Sequence, residues 1–450
     1  MSNKRSGRRK EMHPEGRLRD EILRQLERVE RGAWVDRLAP AVVFSADDRR
    51  RITEYIGGIT RRRRWLDFVI DSYSARAGTI DPVIRHVLRI GTYELTELQR
   101  APHAAVFASV EQAKRLGRMG VGSFVNGVLR SMARDLNHLP EPKSGDDVVD
   151  SAILYSHPDW MARRWVERFG IDGARKLMIY NNRRPVHCLR VNTLKTTISD
   201  FKRTLDDIEV GWADSPYLPE FLRVTTLQPV MAAGLLRSGI AAVQDESAGL
   251  IGRVLRPQPG EFIIDACAAP GGKLVHAGIL MENRGRLVGV DVNGKRLESG
   301  LAVAGRHGLS IVEGIQADLR TLTPTDSLPE ADAVLLDAPC SGLGVLTRRP
   351  DLRWRRTEES LVETTALQDQ LLDAVARFVK PGGRLVYATC TIEPEENEVR
   401  VDAFVRRHPE FALDSASGDL PPSVESEGCM VTLPHVHEID GAFAARLVRC

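Results

Sequence analysis

Two cysteines in the second half of the chain stand where a strand-like segment ends and a loop begins. Cys340 follows Asp337-Ala-Pro, and Cys390 closes the run Tyr-Ala-Thr-Cys. A thiolate in such a loop can act as a covalent nucleophile that divides one difficult substitution into two easier steps. Lys273 is a candidate for the nearby cation that would favour the thiolate. The residues alone leave open which of the two thiols attacks first.

Four aspartates also follow predicted strands, one at each strand end: Asp265, Asp291, Asp318 and Asp337. In open α/β sheets, ligands bind at the carboxyl ends of the strands. A carboxylate in the position of Asp291 can accept both hydroxyls of a ribose, and Asp318 could reach an adenine amino group. Together the four acids predict an adenosyl ligand that carries ribose, amine and cationic groups.

A glycine-rich turn follows the first of these strands, in Asp265-Ala-Cys-Ala-Ala-Pro-Gly-Gly-Lys273. Glycines there let the backbone approach a ligand closely, and the start of the following helix favours negative charge. The spacing is neither G-x-G-x-x-G nor that of a Walker A loop. A dinucleotide or a nucleoside triphosphate is therefore not the expected ligand.

The element order after residue 240 predicts the sheet that would position these side chains. Strand, loop and helix alternate through residues 241–450, which indicates an α/β domain with a parallel sheet covered on both faces. The predicted strands are Phe262–Ile264, Leu287–Val290, Ile311–Ile315, Ala333–Leu336 and Arg384–Tyr387.

The first half of the chain divides differently. Residues 1–16 are basic and aperiodic, which predicts a disordered arm. Residues 17–136 show only helical periodicity, and residues 137–149 are proline-rich and polar, which is typical of a linker. Residues 150–240 predict a small α+β subdomain. Its strands are expected at His187–Asn192 and Leu222–Thr225, with a helix at Ser199–Leu205 between them.

Composition narrows the classes of function. The net charge is only +2, but residues 1–140 hold 27 Lys/Arg and 17 Asp/Glu, a balance of +10 that leaves −8 for the rest. A basic N-terminal third suggests an anionic partner. The six cysteines are scattered without a C-x-x-C pair, which disfavours disulfides and zinc and favours a reducing cytoplasm. No apolar run approaches the ~20 residues that a membrane span needs.

Two arginine-rich segments have both a functional and a structural interpretation. The run Arg61–Arg64 could contact phosphate or simply form a helix surface. After the first cysteine loop, Arg348, Arg349, Arg353, Arg355 and Arg356 surround Trp354. Cations interleaved with an aromatic ring suit RNA backbone contact and base stacking, whereas a solvated loop is the alternative.

With these residues in place, the chain resembles the RNA 5-methylcytosine methyltransferases, in particular the bacterial small-subunit ribosomal RNA enzymes of the Sun/Fmu type. The resemblance covers nearly the whole chain apart from the arm and the linker. Its C-terminal motifs are RVNTLK (190–195), VQDESAGL (243–250), DACAAPGGK (265–273), VDVNGKRL (290–297), LLDAPCSGLGVLTRRPDLRW (335–354), YATCTIEPEENE (387–398) and DGAFAARL (440–447). Its N-terminal motifs, similar to the NusB-type RNA-binding domain, are DPVIRHVLRIGTYEL (81–95), APHAAVFASVEQAKRLG (101–117) and SFVNGVLRSMAR (123–134).

The resemblance implies a fold and a role for each matching residue. It implies a Rossmann-like class I S-adenosylmethionine-dependent methyltransferase domain, preceded by an RRM-like α+β subdomain and an all-α NusB-like domain. In the related DNA enzymes the Pro-Cys motif supplies the nucleophile, but Thr-Cys-Thr followed by Glu-Pro-Glu-Glu-Asn is typical of the RNA enzymes. Cys390 would therefore be the nucleophile, and Cys340 would help to resolve the covalent protein–RNA adduct. Asp337 would also contact the cytosine. The residues implied in cofactor binding are Cys267, Ala268, Ala269, Pro270, Gly271, Gly272, Lys273, Asp291, Asp318 and Asp337.

The expected reaction is methyl transfer from S-adenosylmethionine to C5 of a cytosine in small-subunit (16S) ribosomal RNA. We expect a cytoplasmic monomer that needs neither a metal nor a membrane. The same chemistry on transfer RNA is an alternative, which the NusB-like region disfavours. A non-catalytic ribosome-assembly or transcription factor is another, but no motif residue is lost. An adenine N6-methyltransferase is disfavoured because Asp337-Ala-Pro-Cys340 lacks an aromatic residue.

Overall fold

The computed structural model describes residues 14–35, 38, 43–117 and 119–450. These residues form two units. The first unit contains the chain up to Asn182 together with Arg348–Arg355, and the second contains Arg183–Thr347 and Arg356–Cys450. Most of the predicted N-terminal arm, residues 1–13, lies outside the described residues, and the first helix begins at Pro14.

The helices of the described residues alternate with loops throughout the first unit and with strands in the second. They are α1 (Pro14–Glu30), α2 (Ala46–Ser72), α3 (Pro82–Thr96), α4 (Pro102–Arg115), α5 (Val121–Arg134), α6 (Asp147–Leu154), α7 (Asp159–Asn181), α8 (Ile198–Asp207), α9 (Gln228–Ala232), α10 (Glu246–Leu255), α11 (Gly272–Leu280), α12 (Gly294–Arg306), α13 (Leu352–Arg355), α14 (Glu358–Ala376), α15 (Glu398–Arg407) and α16 (Pro434–His437). The described part of the chain contains no helix with both the length and the apolar character that a bilayer crossing requires.

All strands of the described residues lie in the second unit. They are β1 (His187–Val191), β2 (Trp212–Asp214), β3 (Phe221–Val224), β4 (Ala241–Val243), β5 (Phe262–Asp265), β6 (Arg286–Asp291), β7 (Val312–Gln316), β8 (Ala331–Asp337), β9 (Val379–Thr389), β10 (Phe411–Leu413), β11 (Glu425–Ser426), β12 (Cys429–Thr432) and β13 (Ala442–Arg449).

The first unit confirms the predicted all-helical region. Helix α3 shows why these residues form helices: the Asp81 side chain accepts the backbone N–H of Val83, and Pro82 occupies the first turn, where no N–H is needed. Its apolar face, which includes Val87, Leu88 and Ile90, is fully buried in the core of the unit. Helices α6 and α7 also belong to this unit, and α6 begins at Asp147 inside the predicted linker.

The segment Arg348–Arg355 is part of the helical unit although it follows the first cysteine loop in sequence. The buried Arg353 guanidinium donates to the carbonyls of Ser156 (3.1 Å) and Asn181 (3.0 Å). The Trp354 indole N–H donates to the Thr60 carbonyl at 2.6 Å. The prediction that Arg353 contacts RNA is therefore wrong, because its charge satisfies helix-end carbonyls inside the protein.

The arginine run in α2 likewise makes contacts within its own unit. Arg62 donates to Glu97 at 3.0 Å, and Arg64 pairs with Asp159 at 2.7 Å. The guanidinium of Arg63 lies over the Trp354 ring, 4.7 Å from its centroid. These contacts favour the structural interpretation of the run over phosphate binding.

The second unit contains the strands predicted for the α+β subdomain, in a four-stranded sheet of order β2-β3-β1-β4, whereas residues 150–182 of the predicted range belong to the first unit. Strand β1 pairs antiparallel with both β3 and β4. Helix α8 buries Phe201 and Leu205 in the subdomain core. Strands β2 and β4 were not predicted, because three-residue strands are too short to show a periodic pattern.

A nine-stranded sheet confirms the predicted α/β fold. Its parallel part has the order β9-β8-β5-β6-β7, so the chain reverses direction across the sheet between β5 and β8. Strand β13 then pairs antiparallel with β9 and is followed by β12 and β11, while β10 pairs with β13. This antiparallel extension was not predicted. The parallel part is a doubly wound sheet, which places ligand sites at the switch between β5 and β8.

Candidate active site

The predicted acids lie along one edge of the parallel sheet. Asp265, Asp291 and Asp337 are the last residues of β5, β6 and β8. Strand β5 lies between β6 and β8 and pairs in parallel with both. Asp318 follows β7 by two residues and caps a short 3-10 turn. The carboxyl ends of parallel strands meet at the same sheet edge, so the fold brings the four acids to one side.

The glycine-rich turn between β5 and α11 is fixed by the neighbouring strand. One Asp291 carboxylate oxygen accepts the backbone N–H of Ala269 at 3.0 Å, and the other accepts that of Asn293 at 2.8 Å. Gly271 has φ +99°, and a Cβ there would lie 2.9 Å from the Gly300 Cα in α12. The turn therefore requires glycine both for its backbone conformation and for its close approach to α12.

Asp265 gives a direct test of whether this edge suits a cationic cofactor. The side chain is buried, and its Oδ1 has no hydrogen-bond partner among the described residues. Burial, and to a smaller extent the charge of Asp337, raises the pKa of Asp265 to about 7 against the opposing effect of Lys273. A buried acid without a full set of partners fits a cationic ligand such as a sulfonium.

Asp318 lies at the same edge but is already bound by a side chain. Arg320 donates from Nη2 to its Oδ2 at 2.7 Å, and these hydrogen bonds hold the pKa of Asp318 below its usual range. Arg320 also donates to Gln370 at 3.0 Å. A contact from Asp318 to an adenine amino group would therefore share the carboxylate with Arg320.

The two cysteine loops meet at the same sheet edge. Strand β9 ends immediately before Cys390, and its parallel neighbour β8 ends three residues before Cys340. The Cys340 and Cys390 sulfur atoms lie 3.2 Å apart, and the Cys390 N–H donates to the Cys340 sulfur at 3.4 Å. Both thiols are free and partly buried. The sequence placed both cysteines at strand ends, and the fold makes them a contacting pair.

The surroundings of the two thiols differ in charge. The hydrogen bond with Cys340 lowers the pKa of Cys390, and Lys273 lowers it further, against burial and the charge of Asp337. The same hydrogen bond raises the pKa of Cys340, as do burial and the charge of Glu396. The thiolate is therefore favoured on Cys390 and the protonated thiol on Cys340.

Lys273 interacts both with a strand-end aspartate and with the cysteine pair. Its Nζ donates to Asp337 Oδ2 at 2.7 Å, and the charge of Asp337 raises the pKa of the buried Lys273 despite the opposing effect of burial. Lys273 thus remains a cation next to Cys390. This confirms the expected proximity of a positive charge to one of the thiols.

The loop that carries Cys340 also contacts the C-terminal strand. Gly344 N–H donates to the Cys390 carbonyl at 3.1 Å, and Gly441 N–H donates to the Gly344 carbonyl at 2.8 Å. A Cβ at Gly344 would collide with the Gly441 carbonyl oxygen. Glycine is therefore required at Gly344, and the DGAF motif supports the cysteine loops rather than standing apart from them.

Two residues support the Cys340 loop in a way that the sequence does not indicate: it predicts an RNA contact for Arg356 and does not single out Glu396. The Arg356 guanidinium donates to the carbonyls of Cys340 (3.1 Å) and Ser341 (2.8 Å). Glu396, which belongs to the Glu-Pro-Glu-Glu-Asn run, accepts the Ser341 N–H at 2.8 Å. The only signal was the position of each residue near a cysteine motif, because sequence spacing does not show long-range contacts.

Comparison with known proteins gives a family match for each major part of the chain. Residues 252–448 match the family model "16S rRNA methyltransferase RsmB/F", residues 17–134 match the NusB family, and residues 157–231 match the ferredoxin-like domain of RsmF/B-like methyltransferases. The probable ribosomal RNA small subunit methyltransferase B of Synechocystis sp. is 35% identical, over 92% of this chain and 94% of its own length. The Bacillus subtilis protein of the same name is 32% identical, over 95% and 97%.

Solved structures agree with this placement. A methyltransferase homolog protein from Pyrococcus horikoshii is 27% identical with a TM-score of 0.60, over 69% of this chain and 100% of that one. NSun6 from Pyrococcus horikoshii, solved with SFG, is 25% identical with a TM-score of 0.57, over 66% and 99%. The chain therefore belongs to the RsmB/F family of 16S ribosomal RNA methyltransferases and is an S-adenosylmethionine-dependent ribosomal RNA methyltransferase.

Proposed function

We propose that the protein methylates C5 of a cytosine in small-subunit ribosomal RNA through a covalent bond between Cys390 and C6. The observation that carries this proposal is the contact between Cys340 and Cys390, 3.2 Å apart at the sheet edge that also holds the acids. Methylation of an exocyclic amine would need no thiol pair. The thiol that the charges favour as thiolate is Cys390, in agreement with the family resemblance.

The cofactor half of the site is assigned to the sheet edge around β5 and β6. S-adenosylmethionine supplies an electrophilic methyl group when it is bound. We assign its binding to the turn 267–273 and to Asp291, Asp318 and Asp337. The buried Asp265, with an unpartnered oxygen among the described residues, adds a carboxylate that suits a cationic ligand.

The protein's own residues perform the covalent steps. The Cys390 thiolate adds to C6 of the cytosine, and the electron pair of the C5–C6 double bond makes C5 nucleophilic toward the methyl group. A base then takes the proton from C5, the double bond reforms and the C6–sulfur bond breaks, which returns Cys390 as a thiolate. Cys340 is the titratable group in contact with Cys390. Once the Cys390 sulfur is bonded to C6, its negative charge no longer raises the pKa of Cys340, so Cys340 can release its own proton to solvent and then accept the proton from C5.

RNA binding is assigned in part to the helical region, residues 17–136. Between α4 and α5, the Phe107 ring is 68% exposed beside Lys114, Arg130 and Arg134. An exposed aromatic ring can stack on an unpaired base while cations contact the adjacent phosphates. This surface suits RNA better than the arginines of α2 and α13, whose charges are used inside the unit.

The test is methyl transfer from labelled cofactor to naked 16S RNA and to small ribosomal subunits, followed by nucleoside analysis of the product. We expect label in 5-methylcytosine from 16S RNA. Label in methyladenosine, or in transfer RNA alone, would contradict the proposal. The variant Arg130→Ala/Arg134→Ala should raise the KM for RNA by about tenfold without changing the KM for the cofactor.

A further inference from the structure

A buried carboxylate lies behind the two cysteine loops and has no part in the covalent steps described above. Glu396 ends a short 3-10 turn, Pro394–Glu396, that follows the Cys390 loop. Its exposed fraction is 0%, and Ser341, Thr391 and Gln368 around it are equally buried. Such a group is costly to bury, so its contacts must account for its presence.

The Glu396 carboxylate accepts hydrogen bonds from the residue next to Cys340 and from helix α14. Ser341, the neighbour of Cys340, donates its N–H to Oε1 at 2.8 Å and its hydroxyl to Oε2. The Ser341 hydroxyl also contacts the hydroxyl of Thr391, the neighbour of Cys390, at 2.8 Å. Gln368 in α14 donates to Oε1 at 3.1 Å.

The turn that carries Glu396 is itself fixed to the Cys390 strand. The Tyr387 hydroxyl donates to the Glu396 carbonyl at 2.6 Å. Asn397 accepts the Thr389 hydroxyl at 2.6 Å and donates to the Thr391 carbonyl at 3.1 Å. The turn and the Cys390 loop therefore form one rigid element, and the Glu396 carboxylate is the group that extends from it to the Cys340 loop.

We propose that Glu396 is a positioning residue that holds the Cys340 loop against the Cys390 loop and so maintains the contact between the two sulfur atoms. The effect of Glu396 on catalysis rests on the proposed function, whereas its effect on the distance between the two sulfur atoms does not. Burial raises the pKa of Glu396, while hydrogen bonds from Ser341, Thr391 and Gln368 oppose that effect. The carboxylate acts through these contacts in either protonation state.

The first test measures the spacing of the thiols without any reaction. Phenylarsine oxide binds two thiols at once, with release of water, only when both sulfur atoms can reach one arsenic atom. We expect the wild-type protein to bind it tightly and Cys340→Ala to define the background from the other cysteines. Glu396→Ala should lose at least about tenfold in affinity, because the Cys340 loop is released.

Glu396→Gln separates geometry from charge. Glutamine retains one oxygen for the two N–H donors, and its amide can donate to the Ser341 hydroxyl, so the contacts are preserved while the charge is removed. We expect its arsenical affinity and its kcat to stay within about threefold of wild type. Glu359→Gln, at the exposed start of α14, is the matched control.

The second test measures catalysis. Glu396→Ala should lower kcat by about 10- to 100-fold with little change in the KM for RNA or cofactor, because misplacing a reacting group slows the reaction without removing binding contacts. Because the charge of Glu396 contributes to the raised pKa of Cys340, the pH profile of Glu396→Gln should change only in the limb that reports Cys340, which moves to lower pH. The charged and titratable groups around the pair are Lys273, Asp337 and Asp440 near Cys390, and Glu396 and Tyr387 near Cys340.

Several outcomes would overturn the proposal. Retained arsenical affinity in Glu396→Ala would show that the carboxylate does not set the thiol spacing. An equal loss in Glu396→Gln would show that charge matters rather than geometry. If Glu396→Ala does not fold, Ser341→Ala removes the hydroxyl donor to Glu396 and the link to Thr391 but keeps the Ser341 N–H donor. It must lower the arsenical affinity, and an unchanged affinity would overturn the proposal. A wild-type protein that binds the arsenical but does not methylate cytosine would refute the proposed function and leave the positioning role intact.

Discussion

The cofactor half of the site is built from residues close together in sequence, whereas the thiol half is assembled from distant segments. In the cofactor half, the turn 267–273 and Asp291 belong to consecutive strand–helix units, and the Asp291 carboxylate holds the turn through backbone N–H groups. In the thiol half, Cys340, Cys390 and Gly441 come together only because β8, β9 and β13 are neighbours in the sheet. Local patterns therefore describe the first half better than the second.

The difference matters most for the two cysteines. Their sequence positions are equivalent, but in the fold Lys273 acts on Cys390 and Glu396 acts on Cys340. The hydrogen bond between the two sulfur atoms is the main reason that the thiolate is favoured on Cys390 and the proton on Cys340, and these opposite charges add to it. Variants of the thiol half should therefore lower the rate of the reaction, whereas variants of the cofactor half should change the affinity for the cofactor.

The largest effect is expected from Cys390→Ala. Loss of the nucleophile should reduce kcat by at least about 10³-fold. The affinity for sinefungin, an analogue with an amine in place of the methyl sulfonium, should stay within about twofold, because the cofactor half is intact. Cys429→Ala, a buried cysteine away from the sheet edge, is the control. Near-normal turnover by Cys390→Ala would remove the distinction between the thiols.

Lys273→Met should have the next largest effect and should act mainly on the thiol half. Removing the cation raises the pKa of Cys390, so less thiolate forms at neutral pH and kcat/KM falls by about 10- to 100-fold. The acidic limb of the pH profile should move to higher pH, since deprotonation of Cys390 then requires a higher pH. Lys380→Met at the start of β9 is the control. An unchanged pH profile would show that Lys273 does not favour the thiolate.

Asp265 allows a pH test of the cofactor half. Because burial raises its pKa to about 7, the carboxyl is increasingly protonated and neutral as the pH falls through that value. Sinefungin should therefore bind up to about tenfold more weakly per pH unit below 7. S-adenosylhomocysteine, which lacks the charge at that position, should show a smaller dependence. Calorimetry on Asp265→Asn should give no such difference between the ligands; an equal difference would exclude Asp265 as its cause.

The smallest effect is expected from Arg320→Ala. Its contact with Asp318 is an exposed ion pair that solvent screens, so it contributes little. Releasing Asp318 should change the KM for S-adenosylmethionine by no more than about fivefold and leave kcat unaltered. A large fall in kcat would mean that this residue reaches the thiol half, contrary to the division of the site.

The sequence predicts the parallel strands and the acids at their ends because both depend on local patterns. Asp265 and Asp291 end β5 and β6, where the alternation of apolar runs and loops indicated. The sequence does not reveal the proposed role of Glu396, because that role depends on contacts with Ser341 and Gln368, which are distant in sequence. It also gave a wrong role to Arg353, because an arginine in a basic loop reads as exposed until its buried carbonyl partners are known.

We propose that Cys390 attacks the cytosine and that Cys340 serves the release of the product. The most direct measurement is denaturing electrophoresis of the Cys340→Ala and Cys390→Ala proteins after incubation with labelled 16S RNA and S-adenosylmethionine. We expect a covalent protein–RNA adduct that accumulates in Cys340→Ala and is absent from Cys390→Ala and from the double variant. An adduct in Cys390→Ala, or its absence from a folded Cys340→Ala protein that turns over freely, would contradict the account.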